Sequence, residues 1–429
     1  MPIKTSNNFI RVIFLFISVI FFACNESSEH KTTINFWAMG SEAENLNRIV
    51  AKFEDDNPGI KIIVQQIPWS AAQEKLITAY ASDNTPDACQ LGNTWVPQFV
   101  ALNAIENLNS WIESSKVIKR KNYFKGIWDT NVIDSSTYGI PWYIDTRVLF
   151  YRTDILSKAG YNHPPETWQQ LFDAAKKIKE LYDGDKNRFG IFLPSNEWAP
   201  AVIFGLQNHA KLLTENNTRA NFNSEKFKDA FSYLIKFYKS KLSPFGVSQV
   251  TNVYQAFKEN YFAMYISGPW NIKEFKKWMT GKLKDKWMTA ALPSPDNNYP
   301  GVSLAGGSSL VMFHQSKHKN EVWKFFEFLS HPKNQVKFYK LTDDLPAVRA
   351  AWNDSTLMND PYMKAFYKQF QKVVAMPKIP ELEQIVSSKL IQYLEYAARD
   401  VMSVDEALKN LDKDADRILE KRRWLLNKK

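Results

Sequence analysis

The residues from Tyr138 to Arg152, YGIPWYIDTRVLFYR, set out the organisation of this chain. Aromatic, aliphatic and β-branched residues fill both ends of the stretch and predict one long extended segment. Asp145, Thr146 and Arg147 interrupt it at its centre. Because a buried charge needs a partner, we expect the segment to leave one hydrophobic core, pass a wet cleft and enter a second core. The alternative is an ordinary half-buried strand whose Asp145–Arg147 pair is solvated.

Strands and helices alternate on the N-terminal side of this segment. The predicted strands are Thr33–Ala38, Ile60–Ile67 and Asp87–Gly92. Ser41 is expected to cap a helix whose apolar residues recur at helical spacing and which Asn57-Pro58-Gly59 ends. Such alternation predicts parallel βαβ units, in which ligands bind beyond the carboxyl ends of the strands. Tryptophans or their neighbours stand at three such ends: Trp37–Met39, Trp69 and Asn93–Trp95.

The N-terminus has the features of an export signal. Lys4 and Arg11 precede the apolar run Val12–Ala23, which is too short to span a bilayer comfortably. Ala23-Cys24 resembles the end of a bacterial lipoprotein signal, in which the cysteine carries lipid. We therefore expect a signal peptide over 1–23, lipid on Cys24 and a linker over 24–32. The alternative is an ordinary secretory signal.

Composition narrows the possible functions. The 429 residues are enough for two or three domains, and aromatic residues make up 14% of them. The net charge of +10 is spread over helices and the C-terminal tail, and no nucleic-acid-binding motif occurs. With Cys24 lipidated, Cys89 is left unpaired and is expected to be a buried, inert thiol. Nucleic acid is therefore not an expected partner.

An ordered set of motifs resembles one protein family. The set runs through FEDDNPGIKI, TPDACQLGNTW, the segment at Tyr138, PPETWQQLFDAAKKI, YFAMYISGPWNI, SLAGGSSLVMF, WKFFEFLSHPKNQVKFY, MPKIPELEQI and SVDEALKNLDKDADRIL. In this order they resemble the family 1 extracellular solute-binding proteins of bacterial ATP-driven sugar importers. The resemblance covers nearly everything from Thr33 to about Leu425.

The resemblance implies an α/β fold of the type II periplasmic-binding-protein kind, with a ligand cleft between two lobes joined by hinge crossings. We expect lobe 1 to contain 33–144 plus 293–335, and lobe 2 to contain 145–292 plus 336–429. Passages between the lobes are also expected near Pro293–Gly301 and before Leu345–Arg349. The implied function is capture of a sugar or oligosaccharide and its delivery to the permease subunits of an ABC transporter. The protein is expected to be a monomer at the cell envelope.

Candidate ligand residues follow from the chemistry of sugars, whose C–H faces stack on aromatic rings and whose hydroxyls bind planar polar groups. The predicted ligand residues are Trp270, Trp142, Asp145, Trp198, Trp95, Trp69, Met39, Gly306, Gly307 and Arg349. Trp270 follows a Gly-Pro turn that resembles the stacking platform of the family. For each tryptophan the alternative is packing in the core, and for Asp145 and Arg349 it is an ion pair between the lobes. Gly306-Gly307 is expected to bring backbone N–H groups close to a ligand. The alternative is a bend through which the chain enters a strand.

Catalysis has little support in the sequence. No HExxH motif, GxSxG elbow, P-loop or metal-spaced His/Cys cluster occurs. We therefore expect neither a catalytic residue nor a metal or other cofactor. Two alternatives stay open: a carbohydrate-active lyase or hydrolase, which would share the aromatic enrichment, and a ligand sensor that contacts a signalling receptor.

Overall fold

Two β-sheets, each covered by helices, form the framework of the protein. The computed structural model describes residues 31–182, 185, 187–245 and 250–427. The predicted signal peptide over 1–23, Cys24 and most of the predicted linker lie outside these residues. In spatial order, the six-stranded sheet contains Leu345–Pro346, Ile140–Asp145, Gly306–Met312, Ala88–Gly92, Thr32–Met39 and Ile60–Ile67. The four-stranded sheet contains Trp287–Ala290, Val148–Arg152, Phe262–Ser267 and Phe189–Phe192. We call the helix-covered six-stranded sheet lobe 1 and the four-stranded one lobe 2.

The polar centre of the Tyr138–Arg152 stretch is a crossing between the sheets. Ile140–Asp145 pairs with Gly306–Met312 in lobe 1, whereas Val148–Arg152 pairs with Phe262–Ser267 in lobe 2. The prediction of one continuous extended segment is wrong, because the chain breaks into two strands at Thr146 and Arg147. Thr146 is fully buried, and its hydroxyl donates to the carbonyl of Leu304 at 2.7 Å. The predicted passage from one lobe to the other is confirmed.

Two further crossings join the sheets. One runs from Trp287–Ala290 to Gly306–Met312 and contains Ser303–Leu304, which pairs in parallel with Val373–Val374. We call this two-stranded unit the hinge strands. The other crossing follows Leu345–Pro346, which still pairs with Ile140–Asp145 in lobe 1. We expected a passage before Leu345, and this was wrong because the helix Pro332–Thr342 packs on the lobe 1 helix Gly40–Asp56.

The predicted lobe limits remain a prediction, but sheet membership departs from them at this point. The residues from 336 to 346, which we assigned to lobe 2, form a helix and a strand against lobe 1. The segment around Ser294, which we assigned to lobe 1, forms a bridge to Thr167 at the start of a lobe 2 helix. Both departures have the same cause. Strand pairing with residues distant in sequence determines where the chain crosses from one sheet to the other.

Helices cover both sheets. The longer helices are Gly40–Asp56, Trp69–Ala81, Trp168–Glu180, Ala199–Gln207, Glu225–Lys239, Asn271–Trp278, Lys319–Ser330, Pro332–Thr342, Met363–Phe370, Ile391–Ala398 and Val404–Ile418. Shorter ones are Val96–Ala101, Asn109–Ser114, Lys125–Asp129, Thr153–Lys158, Val253–Lys258, Ser355–Met358, Leu382–Gln384 and Glu420–Leu426, with a π-helical turn at Ile385–Leu390. None of the helices in the described part of the chain combines the length and apolar character needed to cross a bilayer.

The first helix and Cys89 agree with the sequence predictions, except for the residue that caps the helix. The helix Gly40–Asp56 buries Leu46, Ile49, Val50 and Phe53, the residues expected from their spacing. Ser41 does not cap this helix, because the helix already begins at Gly40 and Met39 occupies the cap position. Cys89 is unpaired and fully buried, as predicted, and burial raises the pKa of its thiol.

Candidate functional site

A cleft of about 260 Å³ lies where the two lobes meet. Six of the predicted ligand residues line it together: Trp69, Trp95, Asp145, Trp198, Gly306 and Gly307. Residues that we did not predict line it as well, among them Tyr143, Arg147, Ser308 and Met376. The Tyr138–Arg152 stretch contributes three residues to the cleft, so the crossing between the sheets forms its floor.

The cleft tryptophans share one structural origin. Trp69 is the first residue of the helix Trp69–Ala81, while Trp95 and Trp198 occupy the cap positions of the helices that follow them. The turn from a strand into a helix holds each of these side chains at the end of the sheet. Trp69 and Trp95 contact each other edge to face, with ring centroids 5.7 Å apart. They therefore form one aromatic wall on lobe 1, opposite Trp198 of lobe 2.

Trp270 stands at the cap position of the helix Asn271–Trp278 and is 49% exposed. The guanidinium of Arg147 lies over its ring, 4.5 Å from the centroid. The ring also packs against Gly268, where an added Cβ would come within 2.1 Å of it. Trp270 thus reaches the cleft through Arg147, one of the lining residues. Its exposure argues against the alternative of packing in the core, and its role in ligand binding stays a prediction.

A polar network supports the lobe 1 side of the cleft. The Tyr143 hydroxyl donates to the carboxylate of Glu42 at 2.8 Å, and the indole N–H of Trp69 donates to the same oxygen at 3.3 Å. Gln90 donates to the Tyr143 oxygen at 2.9 Å and to the Ser308 hydroxyl at 3.3 Å. Because all these groups are partnered, the network fixes the orientation of Trp69 from behind.

The residues of this network were missed at the sequence level. Glu42 lies in the first turn of the helix that follows the first strand, and Tyr143 lies within the Tyr138–Arg152 stretch. Their positions at a strand end and at the crossing are the signals that could have found them. Gln90 has no such signal. A glutamine inside a buried strand is uncommon, but the residue type alone does not indicate a ligand or a function.

Three carboxyl groups around the cleft have raised pKa values. Burial raises the pKa of Asp145, and the neighbouring guanidinium of Arg147, a donor at 3.0 Å, opposes this effect. Burial likewise raises the pKa of Glu197, again opposed by Arg147. The pKa of Asp344 lies well above its ordinary value because of burial first and the negative charge of Glu42 second. Arg147 is therefore the positive charge that balances two of these carboxyl groups.

Gly306 and Gly307 enter the strand that pairs with Ile140–Asp145. A Cβ on Gly306 would lie 2.2 Å from the Asp145 carboxylate, and one on Gly307 would lie 2.3 Å from the Tyr143 carbonyl. Gly307 also has φ +122°, which disfavours any residue with a side chain. Both glycines line the cleft, and close approach to the crossing strand accounts for their residue type.

Four predicted ligand residues do not line the cleft: Trp270, which only contacts the lining residue Arg147, and three residues that lie elsewhere. Trp142 is 1% exposed and stacks on Phe338 with centroids 4.5 Å apart, so it belongs to the core of lobe 1. Met39 is fully buried, because it is the last residue of the strand Thr32–Met39 and its side chain still lies in the core. Arg349 lines a separate groove and lies over the ring of Phe124. Tertiary packing, which the local sequence does not show, decides the position of these three residues.

Among the described residues, no group of three or more His, Cys, Asp or Glu side chains is placed to hold a metal ion.

A family model described as bacterial extracellular solute-binding protein matches residues 40–336. The chain belongs to that family. The sugar-binding protein MalE from the phytopathogen Xanthomonas citri is 42% identical in sequence. Its structure superposes on this solute-binding protein with a TM-score of 0.89, covering 93% of this chain and 100% of that one.

Curated relatives agree with this assignment. The galactooligosaccharide-binding protein of Bacillus subtilis is 25% identical and matches over 84% of this chain and 83% of its own length. The maltooligosaccharide ABC transporter solute-binding lipoprotein of Streptococcus pneumoniae is 23% identical, over 78% of this chain and 77% of its own length. The structural similarity confirms the two-lobed periplasmic-binding-protein fold. Because the family and these relatives are binding proteins, this solute-binding protein is not assigned to the enzymes.

Proposed function

We propose that this protein captures a sugar or oligosaccharide in the cleft between its lobes and delivers it to the permease of an ABC transporter. The observation that carries the proposal is the cleft itself, which combines Trp69, Trp95 and Trp198 with the Asp145–Arg147 pair. The aromatic rings offer faces for the C–H surface of a sugar, and the charged pair offers planar partners for hydroxyls. The sugar-binding relatives support the same ligand class.

Capture by hinge closure fits the way the chain crosses between lobes. Ligand residues come from both sheets, with Trp69 and Trp95 on lobe 1 and Trp198 on lobe 2. A sugar held between them brings the lobes together, and the crossings at Thr146–Arg147 and at the hinge strands take up the rotation. The closed form is then the state that the permease subunits receive.

We further propose that the protein acts as a monomer, tethered by lipid on Cys24 to the membrane and facing the periplasm or the exterior. The sequence motif at Ala23-Cys24 and the named lipoprotein relative support the anchor. Size-exclusion chromatography with light scattering tests the oligomeric state, and a dimer mass at micromolar concentration would contradict it.

A ligand panel tests the function. Galactooligosaccharides and maltooligosaccharides are screened by thermal shift beside amino acids and dipeptides as controls, and positives are titrated by calorimetry. A ligand present at 100 times its dissociation constant adds about 2.7 kcal/mol to the unfolding free energy, a shift that is easily measured. We expect a saccharide to raise the melting temperature and the other classes to leave it unchanged. A response confined to amino acids or peptides would overturn the proposal.

A further inference from the structure

A second cavity, of about 610 Å³, lies beside the hinge strands and shares Met376 with the lining of the sugar cleft. Lobe 1 contributes Phe124–Gly126, Asp129 and Arg349 to its walls. Val373 and Val374 of the hinge strands and the neighbouring Lys372 and Lys378 complete them. We call this cavity the hinge groove. Its volume lies within the range of pockets that hold small molecules.

Positive charge in the hinge groove exceeds negative charge. The groove contains Lys125, Arg349, Lys372 and Lys378 but only one carboxylate, that of Asp129. That carboxylate already forms ion pairs with Lys125 at 2.6 Å and with Arg120 outside the groove at 2.9 Å. The one negative group is thus shared by two cations and leaves the others uncompensated.

The remaining cations have no carboxylate partner within the described part of the chain. The Arg349 guanidinium lies over the ring of Phe124, 5.8 Å from its centroid. Lys372 donates to the carbonyl of Asn298 at 2.8 Å, and Lys378 donates to the carbonyls of Asp129 and Val132.

The fold offsets only part of the cost of burying the Lys378 ammonium group. Its side chain is half-buried, and burial lowers the pKa of its ammonium group despite the charges of Asp129 and Asp134. A partly desolvated cation is retained at a cost unless another group balances it. An anion in the groove would supply that balance for Lys378, Lys372 and Arg349 together.

We propose that the hinge groove binds a small molecule that carries a phosphate or sulfate group. The guanidinium of Arg349 presents a planar set of donors that suits the oxygens of such a group, and Lys372 adds a mobile positive charge.

The position of the hinge groove couples it to the sugar cleft. The walls come from lobe 1, from the helix Met363–Phe370 and from the hinge strands, whose rotation opens and closes the cleft. A ligand that prefers one rotation changes the affinity for sugar, and sugar changes the affinity for that ligand by the same factor.

Calorimetric titration of the full-length chain with inorganic pyrophosphate tests the proposal. The groove variant, Arg349→Gln with Lys372→Gln, removes two charges from the site. Its control, Lys282→Gln with Lys333→Gln, removes two exposed charges that line neither cavity. A third variant, Arg147→Gln, removes the cation of the sugar cleft. Thermal melting checks that each variant is folded.

We expect pyrophosphate to bind the wild type and to lose at least about ten-fold in affinity in the groove variant, since two charge-assisted hydrogen bonds are removed. The control variant and Arg147→Gln keep the wild-type affinity. No binding to the wild type, an equal loss in the control, or a loss confined to Arg147→Gln would each overturn the proposal.

The source of the phosphate group is tested separately with phosphatidylglycerol vesicles. Vesicle sedimentation that the groove variant abolishes, and with which free pyrophosphate competes, would assign the site to a lipid headgroup. Binding of free pyrophosphate without sedimentation of the wild type would assign it to a soluble phosphate. Sedimentation that the groove variant leaves unchanged would count against the site, because binding would then come from the rest of the surface.

Discussion

The guanidinium of Arg147 lies over the indole ring of Trp270, 4.5 Å from its centroid. The same guanidinium donates to the carboxylate of Asp145 at 3.0 Å. Asp145 ends a strand of lobe 1, whereas Trp270 begins a helix of lobe 2. One side chain on the crossing therefore connects the two lobes at the edge of the cleft.

Trp270→Ala is expected to weaken saccharide binding at least about five-fold, since aromatic stacking is worth ~1 kcal/mol. Because the ring is 49% exposed, the melting temperature should change little. Trp424→Ala is the matched control, with a ring that is 55% exposed and lies outside the cleft. Calorimetric titration beside thermal melting measures both effects. Unchanged affinity with a large loss of stability would show that Trp270 is a packing residue.

Arg147→Gln is expected to weaken saccharide binding and to move its pH dependence upward. An ionised Asp145 accepts hydrogen bonds from sugar hydroxyls, so binding weakens as the pH falls through the pKa of this group. Arg147 lowers that pKa against the effect of burial, and its removal lets the pKa rise further. Titrations across the acid range should therefore show the loss beginning at higher pH in the variant.

Arg147→Lys serves as the control for this effect. It keeps the positive charge but loses the planar group that lies over Trp270. We expect lower affinity with a pH midpoint close to that of the wild type. A midpoint that moves as far as in Arg147→Gln would mean that charge does not set the pKa of Asp145.

Asp344→Asn is expected to stabilise the protein at neutral pH. Burial and the charge of Glu42 hold the pKa of Asp344 well above its ordinary value. The folded state therefore favours the protonated carboxyl, a stabilisation present below about pH 4 and lost as the pH rises through the folded pKa. An asparagine side chain does not ionise, so the variant avoids this loss of stability at neutral pH. Denaturant unfolding at several pH values should show a gain that disappears in acid.

Asp343→Asn is the neighbouring control, since Asp343 pairs with Lys273 at 3.0 Å on the surface side of the same turn. It should lower stability slightly or leave it unchanged at neutral pH. An equal gain in both variants would point to a general effect of negative charge and would refute the specific role of Asp344.

Gly307→Ala is expected to destabilise the protein by more than about 1–3 kcal/mol, the usual cost of backbone strain alone. The added Cβ would also meet the Tyr143 carbonyl at 2.3 Å. Gly160→Ala isolates the strain, because Gly160 has φ +87° but nothing within 4 Å of its Cβ position. Equal losses in the two variants, measured by denaturant unfolding, would mean that the contact with the crossing strand contributes nothing.

Cys24→Ser is expected to abolish incorporation of labelled fatty acid, which the wild type should incorporate when it is expressed in a bacterium. The reason is the Ala23-Cys24 junction after the apolar run Val12–Ala23. Cys89→Ser is the control, because that thiol is fully buried in the folded protein. Incorporation that persists in Cys24→Ser would refute the anchor.

Local pattern predicted much of the fold. The strand Ile60–Ile67 has the predicted bounds, and the stripe of Leu46, Ile49, Val50 and Phe53 lies inward as its spacing indicated. The polar centre at Asp145–Arg147 correctly marked a passage between the two lobes. The physical reason is that hydrophobic periodicity and the cost of burying charge act within a few residues of sequence.

The sequence by itself determined the family, the alternation of strands and helices, and the placement of Trp69, Trp95 and Trp198 at the ends of strands. Only the tertiary structure decided that Trp142 is core, that Arg349 belongs to the hinge groove and that Arg147 meets Trp270. These outcomes depend on which distant strands pair and which helices pack on them. Sheet pairing joins residues more than 150 positions apart, such as Gly306 and Asp145, and no local pattern of residues encodes such a contact.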